Sequence, residues 1–337
     1  MPQMQESQLG QAETGTKEKG MTAIHSPFRY PGGKFYARKL IQEHIVPHIY
    51  YAEPFVGGGS IFFAKDKVQT NVFNDIDDEL MNCFAQIQTN VEGLIALLRG
   101  HEASKEKHDY FKNEYKPTSD LERAFRWYYL NRTSYSGIMN TVNCYRGYGD
   151  GYSMPPKNWP PQLRRCSAKL QGVSLTCGDF STAIEQAPDG AFLFIDPPYF
   201  NTDQDKFYPF GFMKAAHLRL AAVLREHRSR LRFLLTYDDS PDVRELYGWA
   251  ESILEKQWNY TINRTDDQKK KNGERQEEQP KKGKRYIGRE LFILNTGPIS
   301  GHGDAAHALT NGRATRQEVS TAGHPKATQR ASAVSGG

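Results

Sequence analysis

The chain has 337 residues, of which 38% are hydrophobic and 12% aromatic, enough for one large core with a small inserted domain. It contains no run of about eighteen apolar residues, and Met1–Gly20 lacks the apolar centre of a signal peptide, so we expect a cytoplasmic protein that does not bind a membrane. The four cysteines lack C-x-x-C spacing, which argues against a zinc site or a disulfide framework. The formal net charge of +5 favours an anionic partner, although many basic proteins never bind nucleic acid.

Three polar segments have no periodic apolar face, and we expect them to be disordered or flexible. Met1–Ala23 and Pro298–Gly337 are rich in small and polar residues, which cannot offset the entropy lost on ordering. Asp266–Arg285 holds eight Lys and Arg residues against five Asp and Glu residues, and strand-like segments flank it. It is predicted to be a flexible loop, either simply solvated or in contact with a phosphate backbone.

Between the tails, short apolar runs alternate with helical patterns, which is typical of an α/β protein. Apolar residues at three- and four-residue spacing predict helices over Gly32–His48, Leu80–Leu98 and Lys214–His227. Ala191–Ile195 and Leu231–Thr236 are apolar almost throughout, which predicts two strands at the centre of the sheet. The other predicted strands are Tyr50–Phe55, Asn71–Phe73, Val173–Cys177, and a terminal hairpin of Trp258–Ile262 with Glu290–Asn295.

About a hundred residues separate the second and third predicted strands, far more than one crossover helix needs. We therefore predict an inserted, mostly helical domain at residues 82–172. The main domain would comprise residues 24–81 and 173–297. The predicted fold is an α/β fold with a doubly wound, mostly parallel seven-stranded sheet that ends in an antiparallel hairpin.

A glycine-rich turn, EPFVGGGS at residues 53–60, follows the first predicted strand. Three consecutive glycines let a ligand approach the backbone closely, and the following helix offers free amide groups. A tight turn without any ligand explains the glycines alone equally well. Asp75 ends the second strand, where an acidic residue can accept hydrogen bonds from both ribose hydroxyls of a nucleoside. The alternative is that the acidic residues here cap the next helix.

The tetrapeptide DPPY, which comprises Asp196, Pro197, Pro198 and Tyr199, is the most specific motif in the chain. The strand before it directs it to the carboxyl edge of the sheet, where open α/β folds bind their ligands. The prolines stiffen the loop, and a carboxylate, a carbonyl oxygen and an aromatic ring suit an amino group on a stacked base. The alternative is a proline turn with a capping aspartate.

These motifs, taken in order, resemble those of the Dam-type, alpha-group DNA N6-adenine methyltransferases. The resemblance runs from about Ser26 to Thr296 and takes in residues 131–137 (NRTSYSG), residues 235–238 (LTYD) and the closing strand. Each motif alone is loose, but their order and spacing both fit the family. The five main motifs are FRYPGGK at 28–34, EPFVGGGS at 53–60, NDID at 74–77, CGDF at 177–180 and DPPY at 196–199.

The resemblance implies a site-specific methyltransferase with S-adenosyl-L-methionine as cofactor and double-stranded DNA as substrate. An adenine would be flipped out of the duplex and stacked on Tyr199. Its amino group would donate to Asp196 and to the Pro197 carbonyl, and it would be methylated directly, without a covalent enzyme intermediate. The cofactor-binding residues implied are Tyr30 and Lys34 over the methionine end, Phe55 and Gly57 on the floor, Asp75 at the ribose, Asp179 and Phe180 at the adenine, and Asp196 beside the methionine amino group.

The inserted segment interleaves basic with aromatic residues, a composition suited to phosphates, base edges and stacked bases. About half of these aromatic residues are expected to lie in the core. The family usually has Asn-Gly and, three residues later, an Arg that reads a base. This chain has Ser136, Gly137 and Asn140 there, so the resemblance does not imply a GATC target. The candidate DNA-binding residues are Arg126, Arg132, Tyr135, Asn140 and Arg146.

Three other functions share parts of this pattern. An N4-cytosine methyltransferase has the same fold but usually carries Ser in place of Asp196. A nicotinamide-dependent oxidoreductase would share the glycine turn, but the G-x-G-x-x-G motif is absent. A non-catalytic DNA-binding protein, derived from a methyltransferase, is disfavoured because every catalytic position of the family's motifs is filled in this chain. A cognate restriction endonuclease is a candidate partner, and the chain is expected to be a monomer.

Overall fold

The computed structural model describes residues 24–140, 143–149, 151, 153–200, 211–259 and 287–297. The predicted tails and the charged segment 266–285 lie outside these ranges. The described residues form one seven-stranded sheet. Its strands are β1 Tyr50–Glu53, β2 Thr70–Asp75, β3 Val173–Cys177, β4 Phe192–Ile195, β5 Arg232–Asp238, β6 Ser252–Asn259 and β7 Ile287–Asn295.

The strand order is β3-β2-β1-β4-β5-β7-β6. The first five strands in this order are parallel, and β7 is antiparallel to both β5 and β6. The predicted mostly parallel sheet with a terminal antiparallel hairpin is therefore confirmed. Because the strand order reverses between β1 and β4, a crevice opens at their carboxyl ends.

Side chains of the central strand β4 alternate between two hydrophobic cores. Phe192 and Phe194 pack into the core on one face, and Leu193 and Ile195 pack into the core on the other. Since both faces are covered, this strand is apolar throughout, as its sequence predicted.

Helices lie between the strands and carry most of the remaining buried residues. No helix within the described ranges combines the length and the apolar character needed to cross a membrane. The helices are α1 Arg38–Gln42, α2 Ser60–Ala64, α3 Asp78–Thr89, α4 Val91–Leu98, α5 Lys105–Asn113, α6 Asp120–Thr133, α7 Trp159–Leu170, α8 Phe180–Glu185, α9 Lys214–His227 and α10 Pro241–Leu246.

The segment between β2 and β3 is mostly helical and contains α3 to α7. Its buried residues Phe111, Tyr129 and Trp159 belong to the same hydrophobic cluster as Phe73 and Phe192 of the sheet. The helices are therefore packed onto the core of one sheet face, and recognition of DNA by this segment stays a prediction.

The predicted helix Gly32–His48 is wrong for most of its length, because only Arg38–Gln42 is helical. Most of residues 31–37 form turns, and Lys34 is directed inward, where its exposure is 3%. There it forms an ion pair with Asp196. An amphipathic helix would leave a first-turn lysine in solvent, so this tertiary contact overrides the local pattern.

The predicted helix Leu80–Leu98 is two helices, α3 and α4, because Asn90 departs from helical backbone angles with φ −141° and ψ 44°. The predicted strand Trp258–Ile262 was placed too late, since β6 begins at Ser252. The strand β6 lies at the edge of the sheet and mixes polar with apolar residues, which weakens its apolar signal. The other predicted strands differ from the structure only at their ends, and Lys214–His227 is helical as predicted.

Candidate active site

A cavity of about 180 Å³ opens at the carboxyl ends of β1, β2, β3 and β4. The loops after these strands form most of its wall, and residues before α1 and around α9 form the rest. This is the crevice where the strand order places a ligand. Its wall includes all eight residues predicted to bind a cofactor, namely Tyr30, Lys34, Phe55, Gly57, Asp75, Asp179, Phe180 and Asp196.

The glycine turn after β1 packs directly against Tyr30. Gly57 has φ +45°, and a Cβ atom at this position would lie 2.8 Å from the Tyr30 ring. Any other residue would meet both an unfavourable backbone conformation and this close contact. The glycine at this position therefore lets the turn pack against the Tyr30 ring.

Asp75 holds this turn in place as well as lining the cavity. One carboxylate oxygen accepts a hydrogen bond from the Gly57 N–H at 2.9 Å, and the other accepts one from the Asp77 N–H at 3.2 Å. Burial raises the pKa of Asp75, and these N–H groups oppose the rise. Asp77 caps α3 by accepting from the Glu79 and Leu80 N–H groups, and burial raises its pKa to about 6. The helix cap is therefore Asp77, and Asp75 does not have that role.

Aromatic rings line the part of the cavity next to β3. The Phe55 and Phe180 rings are stacked with centroids 5.2 Å apart, and Phe212 packs edge-on 5.4 Å from Phe55. The Arg219 guanidinium lies 4.6 Å over the Phe180 ring and forms an ion pair with Asp179. Phe212 and Arg219 were not predicted from the sequence, because neither belongs to a motif and both come from the chain around α9.

Asp196 is held on the cavity wall by two residues that are distant in sequence. Lys34 Nζ lies 2.7 Å from its Oδ1 and 2.8 Å from its Oδ2, and the Thr236 hydroxyl donates to Oδ1 at 2.6 Å. The Lys34 ammonium also donates to the Gly32 carbonyl at 3.0 Å and lies 5.0 Å from the centre of the Tyr199 ring. Lys34 therefore contacts the predicted base-acceptor carboxylate, besides lining the cavity.

Two more acidic residues are buried near this centre. Glu53, on the cavity wall, accepts hydrogen bonds from the Tyr51 hydroxyl at 2.7 Å and the Phe62 N–H at 3.0 Å. Glu290, on β7, has Oε2 4.0 Å from Lys34 Nζ. Burial raises the pKa of each of these carboxyl groups to about 8. Neither residue was given a role from the sequence. The feature that could have pointed to them is an acidic residue within an apolar strand, because a buried carboxyl group is costly.

The residues predicted to bind DNA differ in exposure. Tyr135 and Arg146 are exposed, and Asn140 is half-buried. Arg126 donates to two carbonyl groups at the end of α5, and Arg132 is buried, which lowers its pKa. The binding of DNA by these five residues stays a prediction. Exposure favours it for Tyr135, Arg146 and Asn140. Part of the aromatic set lies in the core as expected, namely Trp127, Tyr128 and Tyr129.

Asn131 ties the FRYPGGK segment to the end of α6, a role that the sequence did not reveal. Its side chain accepts from the Arg29 N–H at 2.9 Å and donates to the Arg29 carbonyl at 2.7 Å and the Gly137 carbonyl at 3.3 Å. Gly137 has φ +75°, and a Cβ atom there would collide with the Arg29 carbonyl. The NRTSYSG motif thus holds the chain just before Tyr30.

Known proteins similar to this chain are adenine-specific DNA methyltransferases and type II methyltransferases. It is 30% identical to a type II methyltransferase of Lactococcus lactis subsp. cremoris, over 66% of this chain and 84% of that protein. It is 32% identical to a DNA N-6-adenine-methyltransferase of Escherichia phage P1, over 66% of this chain but only 31% of that protein. It is 25% identical to a DNA adenine methylase of Haemophilus influenzae, over 67% of this chain and 84% of that protein.

A family model also matches most of the chain. Residues 30–262 match the D12 class N6 adenine-specific DNA methyltransferases, and this range includes the glycine turn, the Asp75 strand end and the DPPY segment. The resemblance inferred from the motifs is confirmed. The chain therefore belongs to the D12 class of N6 adenine-specific DNA methyltransferases.

Proposed function

We propose that this protein transfers a methyl group from S-adenosyl-L-methionine to N6 of an adenine that is flipped out of double-stranded DNA. The family supports the reaction class and the substrate. The observation that carries the proposal is the Asp196 carboxylate, which Lys34 and Thr236 hold on the wall of the cavity.

The cavity residues fit the chemistry of S-adenosyl-L-methionine. The stacked rings of Phe55 and Phe180 suit a planar adenine, and the Asp75 carboxyl suits ribose hydroxyls. Gly57 allows the turn to pack closely on Tyr30, and both residues line the cavity where the methionine end of the cofactor is proposed to bind. When bound, the cofactor supplies a methyl group activated on a sulfonium centre.

Asp196 has an acceptor position left on Oδ2 for a target amino group. Each carboxylate oxygen offers about two positions. The Thr236 hydroxyl donates to Oδ1, and the Lys34 ammonium donates to Oδ2 and lies 2.7 Å from Oδ1. The remaining position on Oδ2, together with the proposed Pro197 carbonyl, would take the two protons of adenine N6. Because the N6 lone pair is delocalised into the ring, two such acceptors would localise it for attack.

The thiol chemistry of the chain supports direct transfer. Cys83, Cys144 and Cys166 are buried, and burial raises the pKa of each thiol, that of Cys166 to about 12. The pKa of Cys177, at the end of β3, is also raised, by partial burial and by nearby acidic residues. Thiols that stay protonated at neutral pH are poor nucleophiles. These four residues therefore offer little alternative to direct attack by the amino nitrogen.

The helical segment at residues 82–172 is proposed to recognise DNA. The Tyr135 N–H donates to the Tyr145 carbonyl at 2.8 Å, and both side chains are exposed. Arg146 adds an exposed cation beside them. Exposed rings next to a guanidinium suit stacked bases and phosphates, and Tyr199 is proposed to stack on the flipped adenine.

Product analysis tests the proposed reaction. The protein is incubated with unmethylated genomic duplex DNA and S-adenosyl-L-methionine carrying an isotopic label in its methyl group, and the nucleosides are resolved by mass spectrometry. Labelled N6-methyladenine is expected, and the matched variant Asp196→Asn should form it on the order of a hundredfold more slowly. Labelled N4-methylcytosine would overturn the adenine assignment, and a folded protein that binds DNA without methylating it would support the non-catalytic alternative.

A further inference from the structure

Glu290 is a buried acid that the proposed reaction does not yet use. Its side chain is 1% exposed, and the Tyr199 side chain is its hydrogen-bonding neighbour. Lys34 Nζ lies 4.0 Å from its Oε2 but 2.7 Å from Asp196. The Lys34 ammonium therefore lies between two carboxyl groups and is much closer to that of Asp196.

The ionisation of Glu290 would determine how firmly Lys34 is held. One ammonium group can neutralise one carboxylate, and Asp196 already takes that role through both of its oxygens. A second buried anion 4.0 Å away would attract the same ammonium strongly, because little water screens the interaction. Lys34 would then be shared, and Asp196 would lose part of the contact that orients it.

We infer that Glu290 is a positioning residue, which remains an uncharged acid during methyl transfer and thereby keeps Lys34 on Asp196. The inference rests on the proposed function, in which Asp196 accepts the target amino group. With Lys34 and Thr236 both in place, the free acceptor position on Asp196 Oδ2 has a defined direction. That direction is lost if Lys34 moves toward Glu290.

The neighbours of Glu290 favour the uncharged acid on balance. Burial raises the pKa of this carboxyl to about 8. The negative charges of Asp196 and Asp238 also raise this pKa. The positive charge of Lys34 and the hydrogen bond of the Tyr199 side chain lower it. Two carboxylates thus oppose ionisation of a third one nearby, and a single buried ammonium only partly compensates.

The strands on either side of β7 contribute one charged neighbour each. Asp238 on β5 and Lys256 on β6 are the register partners of Glu290. The Lys256 ammonium lies 5.9 Å over the Phe292 ring, and it makes no ion pair with Glu290 within the described residues. The second lysine therefore does not supply the counter-ion that an ionised Glu290 would need.

The test is the pH dependence of single-turnover methylation, from pH 7 to pH 9, in the parent and in Glu290→Gln. The parent rate should fall about tenfold over this range, as expected when one acid with a pKa near 8 must stay protonated. Glutamine has nearly the same size and cannot ionise. The rate of Glu290→Gln at pH 7 should therefore lie within about twofold of the parent rate, and the fall in rate toward pH 9 should disappear.

Three variants serve as controls. Glu53→Gln removes the other buried acid of similar pKa and should keep the alkaline loss. Glu226→Gln removes an exposed carboxylate on α9 and should behave as the parent at every pH. Glu290→Met, a second side chain that cannot ionise, replaces Glu290→Gln if thermal unfolding shows that glutamine is not tolerated. In each active variant, cofactor affinity is measured separately by calorimetry.

An alkaline loss that persists in Glu290→Gln would overturn the inference, and so would a rate more than about tenfold below the parent at pH 7. A carbon-13 NMR titration gives a readout that does not depend on activity. Of the glutamate carboxyl signals that titrate near pH 8 in the parent, one should be missing in Glu290→Gln. If the parent makes no N6-methyladenine at any pH, the proposed function fails instead.

Discussion

The proposed cofactor side of the cavity and the proposed base-acceptor centre are built in different ways. On the cofactor side, Gly57 and Asp75 are 18 residues apart, and each follows or ends a parallel strand. At the acceptor centre, Asp196 is held by Lys34 and Thr236, which are 162 and 40 residues away in sequence. The first part therefore depends on two adjacent strand ends, whereas the second also needs the segment before α1 to fold back onto β4 and β5.

The two parts also differ in how they compensate buried charge. Backbone N–H groups from Gly57 and Asp77 stabilise the Asp75 carboxylate. A full ammonium charge, Lys34, stabilises Asp196. Removing one partner of a buried ion pair leaves the other charge uncompensated, which costs more than losing one hydrogen bond. Substitutions at the acceptor centre should therefore have the larger effects.

Asp196→Asn should have the largest effect. Asparagine retains the size of the side chain but removes the negative charge, which matters most as positive charge grows on the amino nitrogen. The single-turnover rate should fall on the order of a hundredfold or more, while affinity for DNA changes little and affinity for the cofactor drops only modestly. Rapid-quench methylation and calorimetry measure the two quantities. A rate within a few-fold of the parent would place the base acceptor elsewhere.

Asp75→Asn tests the cofactor side and should have an intermediate effect. S-adenosyl-L-methionine binding should weaken by roughly 1 to 3 kcal/mol, the scale of a lost charge-assisted hydrogen bond. The matched control is Asp77→Asn, which alters the cap of α3 and should change affinity less. Calorimetric titration compares the two. If Asp75→Asn kept the cofactor affinity of the parent and Asp77→Asn lost it, the residue that binds the ribose would be Asp77.

Glu53→Gln tests whether buried acids make stability depend on pH. The pKa of Glu53 is about 8 in the folded protein against an ordinary value of 4.5, so the folded state binds its proton more tightly. Its contribution to stability is complete below about pH 4.5 and is lost as pH rises through 8. Between pH 5 and pH 8 the free energy of unfolding should fall less steeply in the variant than in the parent, by up to about 1 kcal/mol per pH unit. Identical slopes in urea unfolding would show that Glu53 ionises normally.

Ser136→Asn should have the smallest effect, and it tests the left-handed backbone conformation next to Gly137. Ser136 has φ +51°, a left-handed conformation that costs most residues about 1 to 2 kcal/mol and that asparagine adopts more readily. The free energy of unfolding of the variant should be about 0.5 kcal/mol higher, so that it unfolds at a slightly higher urea concentration. Ser181→Asn, within α8, is the control and should not be stabilised. A destabilised Ser136→Asn would show that the hydroxyl is required.

The fold and the cofactor side were largely predictable, because local patterns determine them. Apolar periodicity located the central strands, and the glycine turn, Asp75 and the DPPY segment each follow a strand. Parallel strands bring their carboxyl ends to one edge, so residues after successive strands meet in one crevice. This rule is sufficient to place Phe55, Asp75 and Asp196 on the same cavity wall.

The electrostatic environment of the acceptor was decided only by tertiary structure. The local pattern around Lys34 predicts a solvent-exposed helix, yet the ammonium is buried because Asp196 supplies its counter-ion. Glu290 comes close to the same ammonium only because β7 inserts between β5 and β6. Periodicity along a chain reports which face of an element is buried. Which charges meet inside depends on distances between elements that are remote in sequence, and no local pattern encodes those distances.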